Sequence, residues 1–160
     1  MVAWVASTFQ GDTQLRQEAS LVKYGQEIIS FSVGPRRTAK DAYASLEVEF
    51  DFPKVWAYYQ SHKDGFDQDQ LRFFHVHPPK CLLYSATDLD CIQGFNLSFG
   101  FPVSFSIVCF ETEDLQDPLY DIVTYRYIDG TMRVIPGGGG QILSPNEVLM
   151  LKTLSQATVN

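Results

Sequence analysis

His75 and His77 stand one residue apart and are followed by Pro78, then, after an intervening stretch, by Ser85 and Asp88. Read as H-x-H-P-x6-S-x2-D, this string brings two imidazoles, a hydroxyl and a carboxylate into one short part of the chain. Two imidazoles and a carboxylate are ligands zinc accepts, and a fourth, open coordination position is what a hydrolytic zinc needs for the water it activates. H-x-H alone is a weak pattern, and Ser85-x-x-Asp88 is also a helix-capping pattern. The two in register point to metal ligation, and capping and ligation can coexist.

Such a site needs a strand and a helix to position it. Leu71-Arg72-Phe73-Phe74 reads as a strand that delivers both histidines at its C-terminal end, where residues i and i+2 project to the same side. Pro78-Pro79 stops that strand. Ser85 opens a helix expected to run to about Gln93 with Gly94 as terminator, and Ser85 and Asp88 share one face of it. Asp90 is the competing carboxylate, but it lies about 200° around the helix from Asp88, so only one of the two can face the metal.

Upstream, Val2 to Val5 reads as a short strand, and Thr13 to Gln26 as a helix with Asp12 as N-cap and Gly25 as stop. Glu27 to Gly34 reads as a strand, and Tyr43 to Phe52 as a half-buried one, with Leu46, Val48 and Phe50 alternating with polar residues. Pro53 opens a helix carrying Val55, Trp56 and Tyr59 that fails near Asp64-Gly65, and a polar loop over Phe66 to Gln70 follows. Downstream come a buried strand over Val103 to Phe110 and a hairpin of Leu119 to Ile128 with Thr131 to Ile135 about Asp129-Gly130. A glycine-rich loop over 136–143 leads to a last helix in 144–160, opened by the capping box of Ser144 and Glu147. This order of elements predicts an α/β fold with a mixed or largely antiparallel sheet and three or four helices.

Composition narrows the class. At 160 residues the chain has length for one domain, with its core over about 2–135. Hydrophobic content of 45% with 14% aromatics, and no apolar run near twenty residues, describes a soluble protein with no membrane partner. No basic, apolar and small-residue leader opens the sequence, so a cytoplasmic setting is expected. A net charge of -7 works against a phosphate-backbone partner, and no nucleic acid is expected. Cys81, Cys91 and Cys109 are odd in number and lack C-x-x-C spacing, which predicts buried thiols. His62 reads as a surface helix residue, and nothing in the sequence sets the oligomeric state.

With a Glu-initiated strand upstream, the string resembles the JAMM/MPN (JAB) metallopeptidase domain, whose signature runs from a Glu in E-x-x-G-hydrophobic-hydrophobic-x-G through H-S/T-H-P to S-x-x-D. The matching positions are Glu27, His75, His77, Ser85 and Asp88, with Gly34 closing the first segment and the resemblance spanning roughly Val2 to Ile135. Val76 departs from the usual Ser or Thr, and Ser30 from a glycine. The resemblance implies a single MPN/JAB-like (cytidine-deaminase-like) domain, a central mixed sheet flanked by helices. It further implies Zn2+ held by His75, His77 and Asp88, with Glu27 as general base and Ser85 as hydrogen-bond donor to the oxyanion. Glu47 and Glu49 are rivals to Glu27, though alternation with apolar residues makes solvated positions their simpler account.

The implied reaction is hydrolysis of a peptide or isopeptide bond in a protein or peptide substrate, ubiquitin-like conjugates included. Two other functions stay open: a catalytically silent MPN-like scaffold for protein interactions, and a zinc hydrolase of a small amide.

Overall fold

The computed structural model describes residues 19–33, 50–136 and 143–156. Their framework is a six-stranded mixed sheet: β1 (Ala19–Tyr24), β2 (Glu27–Val33), β3 (Leu71–His77), β4 (Ser104–Phe110), β5 (Tyr120–Ile128) and β6 (Thr131–Val134), in the order β2-β1-β3-β4-β5-β6. Three α-helices accompany it: α1 (Phe52–Ser61), α2 (Ala86–Phe99) and α3 (Pro145–Ser155). The class is therefore α/β, as the order of elements predicts. All neighbours pair antiparallel except β3 and β4, which run parallel. A parallel pair needs a crossover, and α2 supplies it.

Alternation along the strands divides the core in two. On one face Val22, Phe73, Phe105, Ile107 and Tyr125 meet Val55 of α1 and Ile92, Phe95 and Phe99 of α2. Phe73 and Phe95 stack with centroids 4.4 Å apart. On the other face Leu21, Phe74, Val76 and Val108 meet Val148 and Leu151 of α3. The second interface also holds an ion pair, Lys23 Nζ to Glu147 Oε1 at 2.8 Å, with both residues buried.

Local chemistry sets the ends of the elements. Asp51 caps α1, and Ser144 caps α3 through a capping box with Glu147. Asp129 and Gly130 both take positive φ, 53° and 77°, the geometry a two-residue turn between β5 and β6 demands.

The structure corrects several expectations. Ala19–Tyr24 is a strand where the sequence predicts the end of a helix, and Gly25 turns β1 into β2 with φ 59° instead of closing a helix. The strand is buried on both faces from Ala19 to Lys23, so it lacks the alternation that marks a half-buried strand. α2 continues past Gly94 to Phe99 and ends at Gly100 with φ 83°. Gly94 has nothing within 4 Å of where a Cβ would sit, so it lies on an open side of the helix. The expected strand at Val2 to Val5, the residues 13–18, nearly all of the expected strand over Tyr43 to Phe52 and Gly137 to Gly140 lie outside the described residues. No described helix is long and apolar enough to cross a membrane.

Candidate metal centre

β3 ends at His77, and its last residues project their side chains to alternate faces, so His75 and His77 share the face covered by α2. Their rings stand edge to face with centroids 4.7 Å apart. Ser85 is the N-cap of α2, its Oγ accepting from the Asp88 N–H at 3.1 Å while its own N–H donates to Asp88 Oδ2 at 2.8 Å. This capping box fixes Asp88 in the first turn of the helix, where it is fully buried against the two histidines. Capping and site geometry are thus one arrangement.

Asp88 Oδ1 lies 3.2 Å from His75 Nδ1, and Asp88 Oδ2 lies 3.1 Å from His77 Nε2. One ligand atom from each of the three residues falls within 4.8 Å of the others. Two ligands at 2.0–2.1 Å on a tetrahedral ion stand about 3.3 Å apart, so these separations suit a shared zinc. Asp88 Oδ1 is a buried atom without a hydrogen bond, although His75 Nδ1 is within ion-pairing distance. Contact without hydrogen-bond geometry is how two ligands of one cation face each other.

The tautomer of His77 adds to this. Its Nδ1 lies 3.0 Å from the Cys81 carbonyl oxygen, which can only accept, so Nδ1 carries a proton. Nε2 then confronts a carboxylate oxygen and needs either a second proton or a cation between them. A metal-bound histidine commonly donates its other N–H to a backbone carbonyl in this way, which orients the ring. The Cys81 carbonyl is itself held in place. It also accepts from Cys109 Sγ at 3.2 Å, the Cys81 N–H donates to Pro78 O at 3.2 Å, and Tyr125 Oη donates to the adjacent Leu82 carbonyl at 2.7 Å. Lys80 adopts the left-handed region, φ 65°, to turn this loop.

Burial by itself raises the Asp88 carboxyl pKa, but the two imidazoles set against it, His75 and His77, outweigh burial and hold it well below the usual carboxylate range. Asp88 is ionised and ready to ligate. The Cys91 thiol is pushed up to about 12 by burial and then by the Asp88 charge, and burial likewise takes the Cys109 thiol to about 12. Neither cysteine belongs to the cluster of three. Cys109 is buried as expected, whereas Cys81 and Cys91 are only partly so.

Because histidine ligates only when neutral, metal binding releases protons. Affinity for Zn2+ is expected to weaken as pH falls, since protons compete with the ion for the two imidazoles. Competition titration with a chelating dye at several pH values measures this.

Glu27 is not part of the cluster, which corrects its expected role. Ser20 on β1 opposes His75, whereas Glu27 opposes Tyr24 at the β1–β2 turn, four residues along the strand from Ser20. At about 3.3 Å per residue and about 4.8 Å between strands, Glu27 is some 13 Å along and two strands across from His75. Its Oε2 accepts from Tyr58 Oη at 2.9 Å. The residue is an exposed carboxylate that helps seat α1 on the hairpin.

Of the rivals, Asp90 is outside the cluster, and Glu47 and Glu49 lie outside the described residues. His62 is the exposed C-cap of α1, stacked on Tyr58 at 3.9 Å. The Cys81 carbonyl was beyond sequence reasoning, since a backbone group carries no signal of its own. No family model matches the chain, and no curated protein matches it.

Proposed function

We propose that the chain is a zinc-dependent hydrolase of the JAMM/MPN type, with an MPN/JAB-like fold, cleaving a peptide or isopeptide bond in a protein or peptide substrate. The single observation that carries this reading is His77 Nε2 facing the buried Asp88 carboxylate while Nδ1 is committed to the Cys81 carbonyl. His75, His77 and Asp88 would hold the ion. Bound zinc supplies a Lewis acid for the scissile carbonyl and lowers the pKa of a water toward neutrality.

Ser85 accepts a hydrogen bond in the cap, which leaves its hydroxyl proton to be donated. Directed at the oxyanion that forms on the attacked carbonyl, such a donor contributes roughly 3 kcal/mol. The proton taken from water needs a carboxylate nearer than Glu27. Glu18 is covalently joined to Ala19, the residue before Ser20, and itself lies outside the described residues. It is the carboxylate we put to the test.

Zinc-loaded protein is incubated with linear fusions, isopeptide conjugates and small amides, and products are read by mass spectrometry. Cleavage of the first two classes is expected, with Glu27→Gln within about twofold of wild type, because a solvated hydrogen bond far from the site leaves the barrier unchanged. Glu18→Gln is expected to keep its zinc and lose turnover. A wild-type chain that holds no zinc, or that holds it and cleaves none of these, ends the hydrolase reading.

The position of Glu27 favours one second reading, a silent scaffold whose buried ion is structural. It predicts zinc retention without cleavage of any substrate. Cleavage confined to small amides would instead identify a small-amide hydrolase.

A further inference from the structure

A chain whose net charge is -7 nevertheless gathers cations into one line across its sheet. Lys23 on β1 pairs with Arg72 on β3, and Arg72 pairs with Ser104 on β4. Phe105 pairs with Tyr125 in antiparallel register, which sets Ser104 opposite Arg126 on β5, and Arg126 pairs with Arg133 on β6. Residues opposed in register project to one side. Alternation along each strand puts this row on the face that carries Leu21 and Phe74, away from α1, α2 and the histidines.

Compensation along the row is incomplete. Glu147 of α3 neutralises Lys23 inside its interface. Arg126 donates from Nε to Ser104 Oγ at 3.0 Å and from Nη2 to Asp69 Oδ1 at 3.2 Å. Among the described residues no ion pair or side-chain hydrogen bond engages Arg72, which is half-buried, or Arg133, which is exposed on the edge strand. Like charges directly opposite each other in an antiparallel pair repel, so Arg126 and Arg133 carry a cost that a shared anion would cancel.

Guanidinium forks match carboxylates and phosphates alike. Two observations favour the carboxylate. Asp69, 68% exposed in the turn before β3, already seats its carboxylate on Arg126 from outside the sheet. The overall negative charge also opposes a long phosphate backbone, whereas a short peptide meets only the row. At about 4.8 Å between strands, Arg133 lies about 5 Å and Arg72 about 10 Å from Arg126 at the backbone, and alternate side chains of an extended peptide are about 6.6 Å apart. A short acidic stretch laid across the strands therefore has the span to meet all three.

We propose that Arg72, Arg126 and Arg133 form a docking site for an acidic peptide segment of a partner protein, crossing β3 to β6 on the face opposite the metal centre. The site stands independently of the zinc reading.

The experiment measures binding of a rhodamine-labelled hexaglutamate peptide to the full chain by fluorescence anisotropy at about 0.05 M salt, where exposed charges are only partly screened. Wild type is expected to bind, and Arg72→Glu/Arg133→Glu to bind at least about tenfold more weakly. Lys54→Glu/Lys63→Glu changes the net charge equally from exposed positions on and just after α1, and is expected to stay within about threefold of wild type. Should circular dichroism show the first variant unfolded, Arg133→Glu against Lys54→Glu makes the same comparison from exposed positions alone. A wild-type chain that does not bind the peptide overturns the proposal. Equal losses in the two kinds of variant overturn it as well, because net charge and not the row would then set the affinity. Tighter binding of hexathymidylate than of hexaglutamate overturns it in favour of a phosphate-chain partner.

Discussion

Asp88→Asn is expected to reduce zinc affinity by at least about a hundredfold, measured by isothermal titration or dye competition, and to abolish any zinc-dependent cleavage. The expectation follows from what the substitution keeps and removes. An amide oxygen at the Oδ2 position can still accept from the Ser85 N–H, so the cap on α2 survives in outline. What is lost is a negative charge buried between two imidazoles 3.1 and 3.2 Å away. Anionic oxygen is a far better zinc ligand than amide oxygen, and in a dry site the charge also balances the ion. Far-ultraviolet circular dichroism separates a folded chain that has lost its metal from an unfolded one. Wild-type affinity in the folded variant would exclude Asp88 from the ligand set.

Lys23→Met is expected to cost about 3 to 5 kcal/mol of stability, read by urea denaturation. Its ammonium reaches Glu147 Oε1 at 2.8 Å across the interface between β1 and α3, with Lys23 2% and Glu147 5% exposed. Removing one member strands the other charge in a low dielectric. Glu147 has a second duty, since the same Oε1 accepts from the Ser144 N–H at 2.8 Å at the start of α3. The double variant Lys23→Met/Glu147→Gln keeps an acceptor for that cap and leaves neither charge of the pair buried, so it is expected to recover most of the loss. Equal stability of the single variant and wild type would mean that water reaches Glu147.

The chemistry of the candidate site was legible in the sequence because it is local. His75 and His77 share a strand face, Ser85 and Asp88 share a helix turn, and a short loop joins the two. Caps at Ser85 and Ser144 and the turn at Asp129-Gly130 are local signals too, and each falls where expected. β1 was hidden because a central strand buried on both faces shows no alternation, and Lys23 within it reads as a solvent residue until Glu147 is seen.

The placement of Glu27 was hidden for the same reason in reverse. It begins a strand, as its sequence predicts, but only the pairing of Tyr24 with Glu27 reveals that this end of the hairpin points away from the histidines. The end of α2 differs from the expected one because glycine both interrupts and terminates helices. Gly94 is tolerated on an open side, whereas Gly100 takes the left-handed conformation that stops the chain.

The parallel pairing of β3 with β4 bears on how the chain reaches its native state. A hairpin can zip from its turn, but β4 registers against β3 only after the intervening α2 has crossed over, a closure that delays the centre of the sheet. His75, His77 and Asp88 all precede β4 in the chain. During synthesis or refolding, an ion captured by this trio would clasp the start of α2 to the end of β3 before the sheet is complete, making metal supply a kinetic determinant of folding yield.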